Sequence, residues 1–369
     1  MKQLFYVYPE PIPQKNAREI SVLNTFDELC KILDATFVTQ KFNLDEINEK
    51  FNLSIDKKNV LFLSKKFLFF KSTKFFNLRL LKIVKDNKNK DAVFYTRHLK
   101  IADFLLKYKK STQKLIYEVH ECFSLQNKNL FNIEKRILFN SDRVCIHNIS
   151  TKNELEKFFN LKFSNATIVY NGVKIGSDFI KKEFEFDKIV YFGTFLLWKG
   201  VDLLIEFLKQ NKNLKLYLYG NDKSPNANEL KELLRQDLSI KERVVFCGFL
   251  AQNDVINELK KNSSILIIPS KYSTYSNYSI PLKLFEYMAT SNVVLAPSFP
   301  PLCEIIKDGE NGFLYKPQDI SDLAIKFKEI SNLDNQKLNE ISKEGFKTIK
   351  ELDWQNRAKN ILECIGNDF

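Results

Sequence analysis

The sequence predicts an α/β protein with two doubly wound, Rossmann-like domains, on three observations: its length, a regular alternation of β-rich and helix-length segments, and a polar break near the middle. At 369 residues the chain is longer than one hydrophobic core ordinarily serves, and two domains of about 150–180 residues are the natural division. In the second half, β-rich runs at 188–192, 214–219, 244–247, 265–268, 293–295 and 312–315 are mostly separated by helical segments such as 201–210, 229–236 and 282–290. Strands alternating with helices of that length mean right-handed βαβ units and a parallel sheet covered on both faces. The first half repeats the pattern less cleanly, with strands expected near 4–8, 37–39, 60–63, 93–95, 115–119, 143–146 and 167–170. Between the halves, residues 172–187 mix Gly, Lys, Glu and Asp without apolar periodicity and read as a linker. No internal repeat interrupts this organisation.

Composition narrows the class. Hydrophobic content of 44% and a mean hydropathy of −0.27 belong to an ordinary soluble globular chain. The opening Phe5-Tyr6-Val7-Tyr8 run meets Pro9, Pro11 and Pro13, so it is too short for a signal sequence and reads as a first strand. No run of about 18 apolar residues is present to span a bilayer. The six cysteines, Cys30, Cys122, Cys145, Cys247, Cys303 and Cys364, are scattered with no C-x-x-C pair. Reduced thiols in cytosol account for them better than a disulfide framework or a zinc site. The first strand is not followed by G-x-G-x-x-G, which argues against a dinucleotide cofactor.

The net charge of +12 is unevenly divided. Residues 1–175 hold 31 Lys+Arg against 18 Asp+Glu, and residues 176–369 hold 26 against 27. The excess peaks from Lys57 to Lys110, where 16 basic residues face only Asp86, Asp91 and Asp103. Such a field suits a polyanionic neighbour, a membrane surface or nucleic acid, although a generally Lys-rich surface gives the same count. Read as a helix, Phe69 to Lys85 gathers Lys71, Lys74, Arg79, Lys82 and Lys85 on one side, with Phe69, Phe76, Leu80, Ile83 and Val84 largely opposite. A basic amphipathic helix can lie on anionic lipid; it can equally pack its apolar side on the sheet and leave its lysines in water.

Two segments carry candidate chemistry. In Tyr191-Phe192-Gly193-Thr194 followed by Trp198-Lys199-Gly200, a strand ends at a glycine and a lysine precedes a helix. The glycine permits close backbone approach, the helix N-terminus is electropositive and Lys199 adds a point charge. That suits a diphosphate; a plain βα turn with a solvated lysine has the same spacing. In the second, 277–289, a polar loop reaches Pro281, a residue suited to a first helical turn. Ser279 is then a candidate N-cap, with exposed amides after it that could hold a phosphate. Glu286, flanked by Phe285, Tyr287 and Met288, could accept hydrogen bonds from vicinal hydroxyls such as those of a ribose.

These segments, with Glu304 to Pro317 and with Trp354 and Arg357-Ala358 near the end, occur in an order that resembles the retaining glycosyltransferases of family four, whose fold is GT-B. The resemblance covers 187–369 strongly and the first half more loosely, through Pro11-Ile12-Pro13 to Ala17, Tyr95-Thr96-Arg97, Glu118-Val119-His120-Glu121 and Asn171-Gly172-Val173. It implies an acceptor domain at 1–175, a nucleotide-sugar domain at 187–347 and a helix at 348–369 that packs back on the first domain, the two domains facing a cleft. It implies a donor site of Gly193, Thr194, Lys199, Phe249, Tyr278, Ser279, Leu282, Lys283 and Glu286, with Arg97, Ala17 and Glu118 on the acceptor side. His120, read as the one histidine of three at a strand's carboxyl end, would touch the transferred sugar or the acceptor; a structural role beside Glu118 and Glu121 fits it too.

The chain departs from the family pattern twice. Tyr278 stands where a glutamate eight residues before Glu286 is usual, and Thr194 stands where an arginine is usual after the strand-ending glycine. Lys199 and Lys283 would then neutralise most of the diphosphate charge. With no Asp-x-Asp at a strand end, no catalytic metal and no cofactor beyond the nucleotide-sugar co-substrate is implied. The expectation is thus a metal-independent hexosyltransferase of surface polysaccharide, lipopolysaccharide or glycoconjugate synthesis, acting on a glycan or lipid-linked acceptor. It would be cytoplasmic, touching the inner membrane face through 57–110. The rival classes are a sugar-nucleotide epimerase of the same fold and a basic nucleic-acid-binding protein. The first half carries no nucleic-acid motif and the second is not basic, so no nucleic-acid partner is expected.

Overall fold

The computed structural model describes residues 3–13, 17–67, 70–87, 91–176, 178–235 and 237–366. The chain divides into two compact units, Met1–Gly172 with Trp354–Phe369, and Val173–Asp353.

The first unit is built on a seven-stranded parallel sheet. Its strands are β1 (Gln3–Tyr8), β2 (Ala35–Thr39), β3 (Val60–Phe62), β6 (Ala92–Thr96), β7 (Lys114–Val119), β8 (Arg143–Ile146) and β9 (Ala166–Ile168), in the order β3-β2-β1-β6-β7-β8-β9. Among the described residues, a small antiparallel hairpin, β4 (Lys66–Phe67) with β5 (Phe70–Lys71), is a pairing the sequence did not foreshadow. Successive residues of β1 feed opposite cores: Phe5 and Val7 join the cluster with Phe76, Leu80 and Leu105, while Leu4, Tyr6 and Tyr8 join the one with Phe26, Phe37 and Ile361. A strand buried on both faces is apolar throughout, which is why it reads as a continuous hydrophobic run. The sheet order reverses between β1 and β6, and in doubly wound sheets ligands bind beyond the carboxyl ends of strands at that point.

The second unit has β10 (Lys188–Phe192), β11 (Lys215–Tyr219) and β12 (Val244–Gly248) in one parallel ladder, and β13 (Leu266–Ile267), β14 (Val294–Pro297) and β15 (Phe313–Tyr315) in another. The two ladders meet where β10 lies beside β13, with a parallel bridge between Glu185 and Ser264 just ahead of them. One core, including Ile189, Leu204, Leu216, Ile267, Leu295 and Leu323, spans both ladders.

The stretch read as a linker is packed. Phe184 and Lys182 are buried, and the backbone amides of Lys182 and Phe184 donate to Asn339 Oδ1 (2.9 Å) and Asn335 Oδ1 (2.7 Å) on the helix Asn335–Lys350. The Lys182 amine reaches Leu259 O, Asn262 O and Asn292 Oδ1 at 2.7–2.9 Å. This strap belongs to the second unit although it has no helical or strand period. The last helix starts at Trp354, and residues 348–353 stay with the second unit. Its buried Arg357, Ala358, Ile361, Cys364 and Ile365 pack on the helix Ala17–Ile32 and on β8.

Candidate functional site

In the second unit, β10 ends at Gly193, whose φ of +147° lies outside the range comfortable for L side chains. A Cβ there would come within 3.0 Å of Lys283 Nζ. The Lys283 amine therefore reaches from the helix Leu282–Ala289 to the carboxyl end of β10, over the Tyr191 ring at 3.9 Å. Tyr191 donates to Thr194 O at 2.7 Å, which fixes the loop beyond the glycine. The Lys199 amine lies 3.8 Å over the Trp198 ring. Gly200, at φ +74°, lets that turn press on residue 269: a Cβ would stand 1.8 Å from Pro269 O.

The two amines share an electrostatic problem. Burial pushes Lys199 down to about 8. Burial, and then the charge of Lys199, push Lys283 well below the ordinary lysine range, against the pull of Glu286. Among the described residues neither amine forms a hydrogen bond or an ion pair, and the aromatic faces of Trp198 and Tyr191 carry what cation–π attraction there is. Two close, half-buried amines that burial discourages from charging, and that have no bonded anion, suit an external anion that would restore their charge.

The helix after residue 281 starts differently from the expectation. Pro281 is itself the N-cap, with extended backbone, and the helix begins at Leu282. Ser279 lies two residues earlier and its amide is spent on Tyr275 O at 2.8 Å, so it neither caps the helix nor offers its own N–H. The amides left over are those of Leu282 and Lys283, the first turn of the helix. Tyr278 is buried and packs edge-on against Tyr275 at 5.8 Å, turned into the interior. Phe249 follows β12 and is 65% exposed, an apolar ring in water at the carboxyl edge of the ladder that contains β10.

The first unit gathers charge at the matching edge of its own sheet. Glu118, near the end of β7, takes the buried Arg357 guanidinium on Oε1; Arg357 also donates to Thr25 Oγ1 (2.9 Å), Val169 O (2.9 Å) and Tyr170 O (2.6 Å). His120 Nε2 lies 2.5 Å from the same Glu118 oxygen. Burial opposes ionisation of Glu118, but the charges facing it, Arg357 among them, hold its carboxyl well below the usual carboxylate range. Burial and then Arg97 push His120 well below the ordinary histidine range. The ring is thus neutral, Nε2–H donates to Glu118, and Nδ1 is left as an acceptor. His120 stacks on His147 with centroids 5.1 Å apart. His147 directly follows β8, and His98 stands two residues beyond β6. His120 is therefore not the sole histidine at a strand's carboxyl end: all three share this edge. Arg97 is half-buried beside them, and Ala17 is exposed at the start of the helix Ala17–Ile32. Among the described residues, no three His, Cys, Asp or Glu side chains converge as metal ligands.

Residues 177–348 match the family described as glycosyl transferases group 1. The second unit carries a glycosyltransferase group 1 domain. Over 257 residues, 68% of this chain and 67% of the relative, the sequence is 28% identical to the glycosyltransferase MJ1178 of Methanocaldococcus jannaschii. The match thus spans about two thirds of that relative's length. Among solved structures, Anabaena HepE in complex with UDP is similar with a TM-score of 0.77 at 17% identity, covering 99% of each chain. The lipopolysaccharide outer core galactosyltransferase WaaB is similar with a TM-score of 0.71 at 15% identity, covering 100% of each. The chain has the GT-B fold, as its strand pattern and motifs predicted.

Within the glycosyltransferase group 1 domain, the structure brings Gly193, Lys199, Lys283 and Glu286 together, with Thr194 in the loop between. Sequence reasoning missed Tyr191 and Trp198 as the aromatic faces that hold the two amines. Each neighbours or faces its lysine, and the Trp-Lys pair at 198–199 was a usable signal. It also missed the Arg357–Glu118 pair, which joins positions 239 residues apart and leaves no local pattern.

Proposed function

We propose that the chain is a retaining hexosyltransferase of family-four type that moves a sugar from a nucleotide-diphosphate sugar to a glycan or lipid-linked acceptor. The observation that carries the reading is the pair of unbonded amines, Lys199 and Lys283, at the glycine that ends β10. A diphosphate between them would restore both to their charged form, and the Leu282 and Lys283 amides would add helix N-terminal donors. As the glycosidic bond breaks, negative charge grows on the leaving phosphate, and donors fixed beforehand stabilise it without reorganising. Because these cations supply the neutralising charge, the proposed transfer runs without a resident metal. Glu286 would take the ribose hydroxyls, and Phe249 offers an exposed ring for the base to stack on. Structures of HepE with UDP and with UDP-glucose and the galactosyltransferase WaaB support a sugar nucleotide as donor and a surface glycan as product. His120, a neutral ring held by Glu118, would accept a hydroxyl hydrogen of the sugar or acceptor at Nδ1. The test is transfer from a panel of sugar nucleotides, with the anomeric configuration of the product read by NMR. Inversion would overturn the retaining assignment, and epimer release without acceptor would favour an epimerase.

We also propose that the first unit docks on the anionic inner face of the cytoplasmic membrane. The basic helix runs over Thr73–Asp86, with Ser72 as its cap, and Phe76, Leu80, Ile83 and Val84 buried; Phe69 lies outside the described residues. Arg79 is not part of the free charge, because its guanidinium donates to Ser64 O, Lys66 O and Phe75 O. Its exposed side presents Lys74, Lys82 and Lys85 around Leu78, which is 63% exposed. The neighbouring helices Leu99–Tyr108 and Phe131–Asn140 pack alongside and add Lys100, Lys107, Tyr108 and the 56% exposed Phe139. Lysines interleaved with exposed apolar side chains suit a headgroup surface. Among the described residues no helix is long and apolar enough to cross a membrane.

A further inference from the structure

We propose that the carboxyl edge of β2, β1 and β6 in the first unit is a phosphoryl-binding site, and that the acceptor carries a phosphate group which Arg97 holds beside His120. This rests on the transferase reading above for the word acceptor, but not for the anion site itself.

The residues converge through the sheet. Tyr8 is the register partner of Thr39 across β1 and β2, and Tyr6 pairs with Tyr95, so β1 delivers Tyr8 next to Arg97 and His98 just past β6. This is the point where the strand order reverses, and the helix Leu99–Tyr108 begins there. His98 is its N-cap and makes no side-chain capping bond, so the positive end of a ten-residue helix faces the same spot.

The site is built but unfilled by the protein's own groups. Tyr8 is 1% exposed and Thr39 is fully buried, yet the Tyr8 hydroxyl and Thr39 Oγ1 have no hydrogen-bond partner among the described residues, nor do the buried Arg97 Nη1 and His98 Nδ1. Several unsatisfied polar atoms at one strand edge are costly to a fold unless something binds them. The charges facing the Tyr8 hydroxyl are Arg97 and Arg18 against Glu10 and Glu19. Glu10 is engaged by His98 Nε2 at 3.0 Å and Lys65 at 4.0 Å, and Arg18 by Glu121 at 3.1 Å. Arg97 alone of this group makes no hydrogen bond or ion pair among the described residues. A guanidinium fork with a phenol, a hydroxyl and helix amides around it offers several donors to the three or four oxygens of a phosphoryl group. Arg97 also faces His120, so a phosphate there would cancel the charge that adds to burial in keeping the His120 ring neutral.

The chain's three histidines all lie at this edge, which supplies the probe. The experiment follows the histidine ring resonances of the full chain while inorganic phosphate is added, in a Lys199→Gln/Lys283→Gln background that removes the proposed donor site. Saturable movement of the His98 and His120 signals is expected, with the His120 titration midpoint raised. In Arg97→Gln the movement should weaken about tenfold or more, as for a lost charge-assisted bond, and Tyr8→Phe should weaken it less while leaving the fold intact. Unmoved resonances, or movement identical in Arg97→Gln, would overturn the site whatever the donor assays say. Glycerol 3-phosphate and a short-chain phosphatidic acid then separate the sources: tighter binding of the second assigns the phosphate to a lipid-linked acceptor, equal binding to a soluble one. Methyl glucoside should move nothing, and a response equal to that of phosphate would overturn the requirement for an anion.

Discussion

Removing the Arg357 guanidinium should destabilise the first unit and leave the second unchanged. Arg357 is 2% exposed and Glu118 is 2% exposed, so Arg357→Met leaves a carboxylate buried without its strongest partner. Breaking a buried pair from one side costs about 3–5 kcal/mol. His120 remains as a second partner of Glu118 and should recover part of that, while the lost bonds to Thr25, Val169 and Tyr170 add to it, each typically worth about 1 kcal/mol. A net loss of about 5 kcal/mol in a unit of this size lowers the midpoint by roughly 10–20 °C. The chain has two tryptophans, Trp354 in the first unit and Trp198 in the second. Trp354 fluorescence in a Trp198→Phe background therefore reports the first unit alone, followed in urea or on heating. Glu118→Gln added to Arg357→Met should restore part of the loss, because the stranded charge is gone. An unshifted Trp354 transition, or a double variant less stable than Arg357→Met, would refute the reasoning.

Three further outcomes follow from the same geometry. Burial holds Lys199 near 8, so above that pH the free protein has lost the proton that a bound diphosphate favours; UDP binding should take up a proton and weaken as pH rises through about 8, and an affinity flat from pH 7 to 9.5 in calorimetry would contradict it. Changing Lys74, Lys82, Lys85 and Lys107 to Gln should abolish sedimentation with anionic liposomes while sparing donor hydrolysis in solution. At about 1 kcal/mol per lysine near the surface the attraction is salt-sensitive, and equal sedimentation with neutral liposomes would remove the docking face. Turnover should survive EDTA, with complete loss restored by Mg²⁺ or Mn²⁺ counting against Lys199 and Lys283 as the neutralising charges.

Much of the fold was legible because parallel strands buried on both faces are uninterrupted apolar runs, as in Leu4–Tyr8 and Leu115–Val119. The helix Val201–Gln210 was legible because Gly200 punctuates its start. The strap at 178–187 was not, since its order comes from asparagines more than 150 residues away rather than from a period of its own. Arg79 reads as a surface cation in a helical projection, yet it donates to the backbone carbonyls of Phe75 in its own helix and of Ser64 and Lys66 at a hairpin whose two-residue strands carry no pattern. Of the residues gathered at the carboxyl end of β10, Gly193 and Lys199 were readable from a strand-glycine-lysine-helix order, and Glu286 from its place among apolar neighbours on the helix after Pro281. The absence of a cap at Ser279 was not, because Tyr275 captures its amide through a turn that no motif announces. The unsatisfied atoms around Tyr8 were invisible, as satisfaction is a property of packing and not of sequence.

The central claim is that Lys199 and Lys283 form a diphosphate site in the glycosyltransferase group 1 domain. Its most direct test is calorimetric binding of UDP to the full chain and to Lys199→Ala, Lys283→Ala and Glu286→Ala at pH 7, with folding of each checked by its thermal transition. A charge-assisted hydrogen bond is worth about 1.5–3 kcal/mol, so the account predicts a dissociation constant raised at least tenfold in each variant. Uridine without its phosphates should be weakened by Glu286→Ala and indifferent to the two lysine changes. UDP affinity unchanged in Lys199→Ala and Lys283→Ala alike would contradict the account.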